Sequence, residues 1–198
     1  MPDFYELLAH PQFKLASVLR RLYIVQAHDA WPIVHGPKLM SIAAPTLEYL
    51  YLGGLRHLVI LPELPSLRTV AFRVVFDHRQ WNWFMEIISS VIRTSPLLAD
   101  ITISLRGYRT SLASISEALG TLDASLAVHP RHPVIRLRPD LRTMSIATGQ
   151  CENARFLAEF TTSIQIAMPQ MHKQGRFVVE TYDHDMERIR RLPGIFAP

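Results

Sequence analysis

The sequence predicts an α/β solenoid with a parallel strand face and irregular helices on the outer face. Three observations predict it. A six-residue phrase, L-x-x-L-x-L with conservative apolar swaps, recurs along the chain. Segments with helical apolar spacing alternate with strand-like ones. Proline and glycine punctuate the junctions, where short turns are needed.

The phrase occurs at Leu19-Leu22-Ile24, Leu47-Leu50-Leu52, Leu67-Val70-Phe72 and Leu98-Ile101-Ile103, with steps of 28, 20 and 31 residues between starts. A weaker match lies at Leu141-Met144-Ile146. In each phrase the last two apolar positions are two residues apart, so they point to one face of a strand. The first lies where the chain turns into that strand. Leucine-rich repeats run about 20–29 residues, so two of these steps fit and one is slightly long, and the units read as leucine-rich-repeat-like. One unit has a single buried face and cannot stand alone, whereas stacked units share a core. About five to seven strand units are expected.

Taken in order, the units around Leu47 and Leu67 have only short connectors such as "PELP" rather than full helices. Asp77–Ser95 reads as a helix, with Asp77 and Gln80 at capping-box spacing. Phe84, Ile87, Ile88, Val91 and Ile92 form its apolar stripe, and Pro96 follows its end. Trp81 and Trp83, two positions apart, cannot share one helix face, so one belongs in the core and the other is partly exposed. Ser111–His129 places Leu112, Ile115, Leu119, Leu122 and Leu126 at alternating steps of three and four, and Pro130 stops it. Gly120 weakens this helix by about 1 kcal/mol relative to alanine. "PVIRLRP" (Pro133–Pro139) then reads as a strand. Gln150–Lys173 carries Phe156, Phe160, Ile164, Met168 and Met171. Pro169 is expected to kink or shorten this helix, and Gly175 to cap it. "RFVVETY" (Arg176–Tyr182) is the last strand, and 183–198 forms a polar C-terminal tail.

The whole of 1–198 is expected to be a single leucine-rich-repeat-like domain. "LLAHPQF" at Leu7–Phe13 echoes "LAVHPRH" at Leu126–His132, which ends a helix and precedes a strand. The domain is therefore expected to start mid-solenoid. The alternative, a doubly wound α/β fold, lacks a glycine-rich first turn here.

Composition narrows the function classes. Of 198 residues, 48% are hydrophobic and 19% charged, which is enough for one sizeable core. The lone cysteine, Cys151, allows no intrachain disulfide and fits an intracellular setting, cytoplasmic or nuclear. "MPDFYELLAHP" carries acids and no long apolar run, so it does not read as a secretory signal. The longest uncharged, mostly apolar run, Phe160–His172, is too short for a membrane span. The net charge of +4 is spread along the chain rather than gathered into the contiguous stripe that nucleic acid requires.

"APTLEYLYLGGL", "LPSLRTVAF", "SPLLADITI", the "LDASLAVHP" helix and "MPQMHKQGRFVVE" together resemble the C-terminal region of fungal F-box/leucine-rich-repeat-like proteins. The resemblance spans roughly Leu15 to Tyr182 and is one of rhythm and phrase. It implies an N-terminal F-box that docks a ubiquitin-ligase adaptor, and repeats that select a target. This chain departs from that pattern. "LPEL" at Leu61–Leu64 sits inside the repeats without an F-box helix after it. Adaptor binding is therefore expected only if an F-box lies upstream.

Catalytic and metal motifs are sparse. "HPRH" (His129, His132) and "DHD" (Asp183, His184, Asp185) are short of a converging three- or four-ligand zinc set, and read as turn and surface residues. The sequence contains no G-x-S-x-G, S-x-x-K or phosphate loop. Gly53-Gly54 reads as turn chemistry. Cys151 lies near a helix start, which lowers a thiol pKa, but reads as an incidental thiol. No cofactor, metal or catalytic residue is assigned.

The better site is the strand face itself. Residues alternating with the buried ones point away from the core: Arg21 and Tyr23; Tyr49 and Tyr51; Thr69, Ala71 and Arg73; Asp100, Thr102 and Ser104; then Arg136 and Arg138. Arg21, Tyr23, Tyr49, Tyr51, Arg73, Thr102, Arg136 and Arg138 are the expected partner-binding set. Tyrosine and arginine combine contact area with directed hydrogen bonds, although β-favouring Tyr and Thr with solubilising Arg give the same composition. The set suits a protein segment of acidic or aromatic character. Non-catalytic protein recognition is the expected function. The alternatives are a free-standing repeat scaffold with no ligase link and an α/β enzyme.

Overall fold

The computed structural model describes residues 18–25, 35–54, 60–75, 78–106, 113–139 and 150–180. The motif at Leu141-Met144-Ile146, the N-terminal echo, Asp77, the Cys151 side chain, "DHD" and the 183–198 tail lie outside these described residues.

Among the described residues, six strands form one parallel sheet: β1 (Arg21–Val25), β2 (Tyr49–Gly53), β3 (Thr69–Val75), β4 (Asp100–Arg106), β5 (Val134–Pro139) and β6 (Phe177–Val179). Their spatial order is their chain order. That order never reverses, so the sheet has no switch point of the doubly wound kind. Parallel crossovers are right-handed, and an unreversed series puts them all on one face.

The register matches the repeated phrase. Leu22, Leu50, Val70, Ile101, Ile135 and Phe177 lie in one row across the sheet, and Ile24, Leu52, Phe72, Ile103, Leu137 and Val179 in a second. The two rows, with Val74 and Leu105 beyond them, are the sheet's contribution to a single continuous core. The first apolar residue of the phrase, Leu47, Leu67 and Leu98, is wholly buried where the chain enters β2, β3 and β4.

Among the described residues, five helices supply the other side: α1 (His35–Ala43), α2 (His78–Thr94), α3 (Ala113–Ala127), α4 (Gln150–Ala167) and α5 (Pro169–Lys173). Met40, Phe84, Ile87, Ile88, Val91, Leu119, Leu122, Leu126, Phe160, Ile164 and Met171 join the same core. Phe84 meets Phe72 edge-on at 5.1 Å between ring centroids, locking α2 to β3. Trp81 is buried and Trp83 half-buried, as their two-residue spacing requires.

One expectation is corrected. The connection before Leu47 contains a helix, α1, and is not a bare connector. Pro37 lies in its first turn, where proline forfeits only an N–H that lacks an intrahelical partner anyway. Between β2 and β3 there is no helix among the described residues.

Local chemistry explains the C-terminal boundaries. Pro169 divides the long helical pattern, ending α4 at Ala167 and opening α5. Gly175 then takes φ +66°. Its N–H donates to His172 O, and the Arg176 N–H donates to Met171 O. These two bonds make a Schellman ending that redirects the chain into β6. At the start of α5, Asp123 of α3 accepts from the Gln170 N–H at 3.0 Å and the Met171 N–H at 2.8 Å. This buried carboxylate satisfies amides that have no partner inside the helix.

The strand entrances share a turn. Ala44-Pro45, Leu64-Pro65, Ser95-Pro96 and His129-Pro130 precede β2 to β5, and each residue before the proline is buried. The Leu67, Leu98 and His132 N–H groups donate back to Leu64, Ser95 and His129 O, at 3.1, 3.1 and 3.0 Å. Proline pre-sets the backbone of the second residue in such turns. His129, expected at the surface, is 4% exposed. Its Nδ1 accepts from the Arg131 N–H at 3.2 Å, so its Nε2 carries the proton and donates to Ser95 O at 3.1 Å. The histidine thus ties one proline turn to the preceding one.

Candidate functional site

The helices and the core occupy one face of the sheet, and the opposite face carries the residues of alternate parity. Three rows cross it. The first runs Arg21, Tyr49, Thr69, Asp100, Val134, and the second Tyr23, Tyr51, Ala71, Thr102, Arg136, Val178. The third runs Val25, Gly53, Arg73, Ser104, Arg138. All eight expected partner-binding residues lie on this face, in a register set by the backbone pairing.

They divide into two groups. On β1 and β2 the three tyrosines meet: Tyr23 lies 5.2 Å from Tyr49 and 5.9 Å from Tyr51, between ring centroids. Tyr23 is 46% exposed, Tyr49 half-buried and Tyr51 only 2% exposed. Tyr51 is therefore the foundation of this cluster, and Tyr23 its accessible surface. Its ring lies over Gly53, and any Cβ there would stand 2.8 Å from Tyr51 Cε1.

On β4 to β6 the arginines are already engaged. Arg136 Nη1 donates to Glu180 Oε1 at 3.0 Å, and Arg138 Nε to Glu180 Oε2 at 2.8 Å. Arg136 also reaches Asp100 Oδ1 at 3.4 Å. Burial alone would raise the Glu180 pKa, but the hydrogen bonds from Arg136 and Arg138 outweigh it and hold the carboxyl below its ordinary range. Arg136 is raised above its usual value, first by its hydrogen bond to Glu180. These two arginines thus have acid partners within the chain. Arg21 and Arg73, by contrast, form no ion pair among the described residues.

Between the groups the side chains are small. Thr69, Ala71, Thr102 and Ser104 make a low floor from which Arg73 rises, with Ala71 and Ser104 buried. Among the described residues, no group of three or more His, Cys, Asp and Glu is placed to hold a metal ion. None of the helices searched is long and apolar enough to cross a membrane.

The sequence rows identified the face and missed its internal pairing. Glu180 follows the last strand and was not among the expected residues. Its only signal is an acid placed one residue beyond a strand whose neighbour carries Arg136 and Arg138. Comparison with protein-family models, curated proteins and solved structures finds no match.

Proposed function

We propose that this chain is a non-catalytic protein-recognition module, a leucine-rich-repeat-like arc that binds through the face of its sheet opposite the described helices. The observation that carries this reading is the tyrosine cluster, which stands beside the small Thr69 and Ala71 of the next strand. Tyr23 offers an exposed aromatic surface whose position is set by Tyr49 and by the buried Tyr51. Aromatic anchors held rigidly by their neighbours lose little entropy on binding, which is the property of interface hot spots. The unreversed strand order and the recurring phrase support the repeat architecture.

The phrase-level resemblance to fungal F-box proteins supplies the finer reading, a target-selecting arm. Under that reading adaptor docking belongs to an F-box outside these repeats. The chain itself therefore leaves the adaptor unbound, and robust adaptor binding by it would refute the assignment.

The face is tested by affinity capture with three proteins: wild type, the Tyr23→Ala/Tyr49→Ala double variant, and Ile166→Ser. Ile166 is 74% exposed on α4, in the helix layer. A specific partner is lost from the tyrosine variant and kept by Ile166→Ser. A partner that ignores the tyrosines, or is lost from both variants, overturns the proposal.

A further inference from the structure

We infer that the occupant of this face is an extended acidic protein segment with two carboxylates about five residues apart and an apolar or aromatic side chain between them. The inference deepens the recognition reading above and rests on it. It begins from the uneven charge of the face. Four arginines lie there, but Glu180 and Asp100 compensate Arg136 and Arg138. Arg21 and Arg73 form no ion pair among the described residues.

The register fixes the relation between those two. Arg21 is on β1 and aligns through Tyr49 with Thr69 of β3. Arg73 lies further along the same strand, with Thr69 and Ala71 before it on the same face. Strands are about 4.8 Å apart and rise about 3.3 Å per residue, so the two Cα atoms are separated by about 16 Å along a diagonal. About five residues of extended chain span that length. The diagonal crosses the position of Tyr51, with Tyr23 and Tyr49 on either side of it. A ligand that satisfies both guanidiniums therefore lays its central side chain on the tyrosines. The small side chain of Ala71, on the strand between Tyr51 and Thr102, lets its backbone approach the sheet.

The same map argues against a polyanion. Past Arg73 the charges on the face are balanced, Asp100 and Glu180 against Arg136 and Arg138, so a nucleic-acid strand continuing across the sheet meets no contiguous basic stripe. Two separated guanidiniums suit two carboxylates, each able to accept paired N–H bonds.

Fluorescence anisotropy tests this with a labelled synthetic peptide of serine and glycine carrying two glutamates five positions apart and a tryptophan between them. The full chain is expected to bind it. Arg21→Gln and Arg73→Gln should each weaken binding about tenfold. Arg93→Gln, an exposed arginine in the last turn of α2, should leave it unchanged. Circular dichroism of each variant verifies that the fold is kept. An equal loss with Arg93→Gln overturns the inference, because net charge alone would then explain binding. Equal binding of peptides with the glutamates two or eight positions apart overturns it too. So does a single-stranded oligonucleotide bound as tightly with the same arginine dependence. If the glutamine version of the peptide binds equally well and Tyr23→Ala abolishes that binding, the acidic inference falls and the recognition reading stands. If no peptide of the set binds in a Tyr23-dependent way, both fall.

Discussion

Tyr51 and Gly53, two residues apart on β2, are in intimate contact: the phenol ring lies across the glycine, where a Cβ would come within 2.8 Å of Cε1 and 3.1 Å of the hydroxyl oxygen. Gly53→Ala therefore forces the buried ring to move, and it is boxed in by Tyr23 at 5.9 Å. Overpacking of this kind costs about 1–3 kcal/mol. Urea unfolding should show that loss. The Gly53→Ala penalty should shrink in a Tyr51→Val background, since the two residues share one space. An undiminished penalty would place the strain elsewhere.

Asp123 is expected to be the most costly polar substitution. It is 2% exposed and accepts two backbone N–H bonds at the start of α5. Asp123→Ala leaves both amides without their acceptor and should destabilise by about 2–4 kcal/mol, measured by urea midpoint. Asp123→Asn should recover part of this, because one amide oxygen can still accept while the NH2 faces the other donor.

Stability should fall in two steps on acidification. Burial first, with His132 and Arg176 nearby, pushes the His129 pKa below 6.5, against its hydrogen bond to Ser95. Its unfolded form takes up a proton more readily than its folded form. The contribution is therefore fully present above about pH 6.5 and is lost as pH falls from there towards the folded value. Glu180, whose folded pKa lies below 4.5, contributes above that value and loses its contribution as pH falls further. Urea midpoints from pH 8 to pH 3 should record both steps. His129→Gln should remove only the upper one, and an unchanged upper step would assign it to another group.

Ser95→Ala is expected to be neutral or slightly stabilising. The Ser95 hydroxyl is wholly buried with no hydrogen-bond partner among the described residues. The contacts that matter, from His129 Nε2 and the Leu98 N–H, go to its backbone oxygen. Removing an unpartnered buried hydroxyl relieves a desolvation cost of about 1 kcal/mol. A thermal melt showing marked destabilisation would mean that the hydroxyl has a partner.

What was legible in the sequence was periodic. The two-residue spacing of Leu50 and Leu52 fixed which face of β2 is buried, and equivalent pairs set the register of β1, β3 and β4. Helix stripes such as Phe160, Ile164 and Met171 were legible for the same reason. Three features were not. Asp123 meets α5 across 47 residues, and Glu180 meets Arg136 across 44, separations at which no local pattern operates. The burial of Tyr51 depends on a glycine beneath it and a tyrosine on the next strand. The proline turns were written plainly in the sequence, at Pro45, Pro65, Pro96 and Pro130, but their stacking emerges only when the strands are placed side by side.

Those prolines recur after 20, 31 and 34 residues, while the strands they introduce remain immediate neighbours. Helices pack about 8–10 Å apart and strands about 4.8 Å, so each interposed helix spreads the outer layer and bends the sheet away from it. The connection between β2 and β3, with no helix among the described residues, adds no such wedge. The sheet is therefore expected to be flattest where β2 meets β3 and to curve more on either side, where α1 and α2 are interposed. Tyr49 and Tyr51 of β2 and Arg73 of β3 then share the flatter stretch, and the end tied together by Glu180 is the rim.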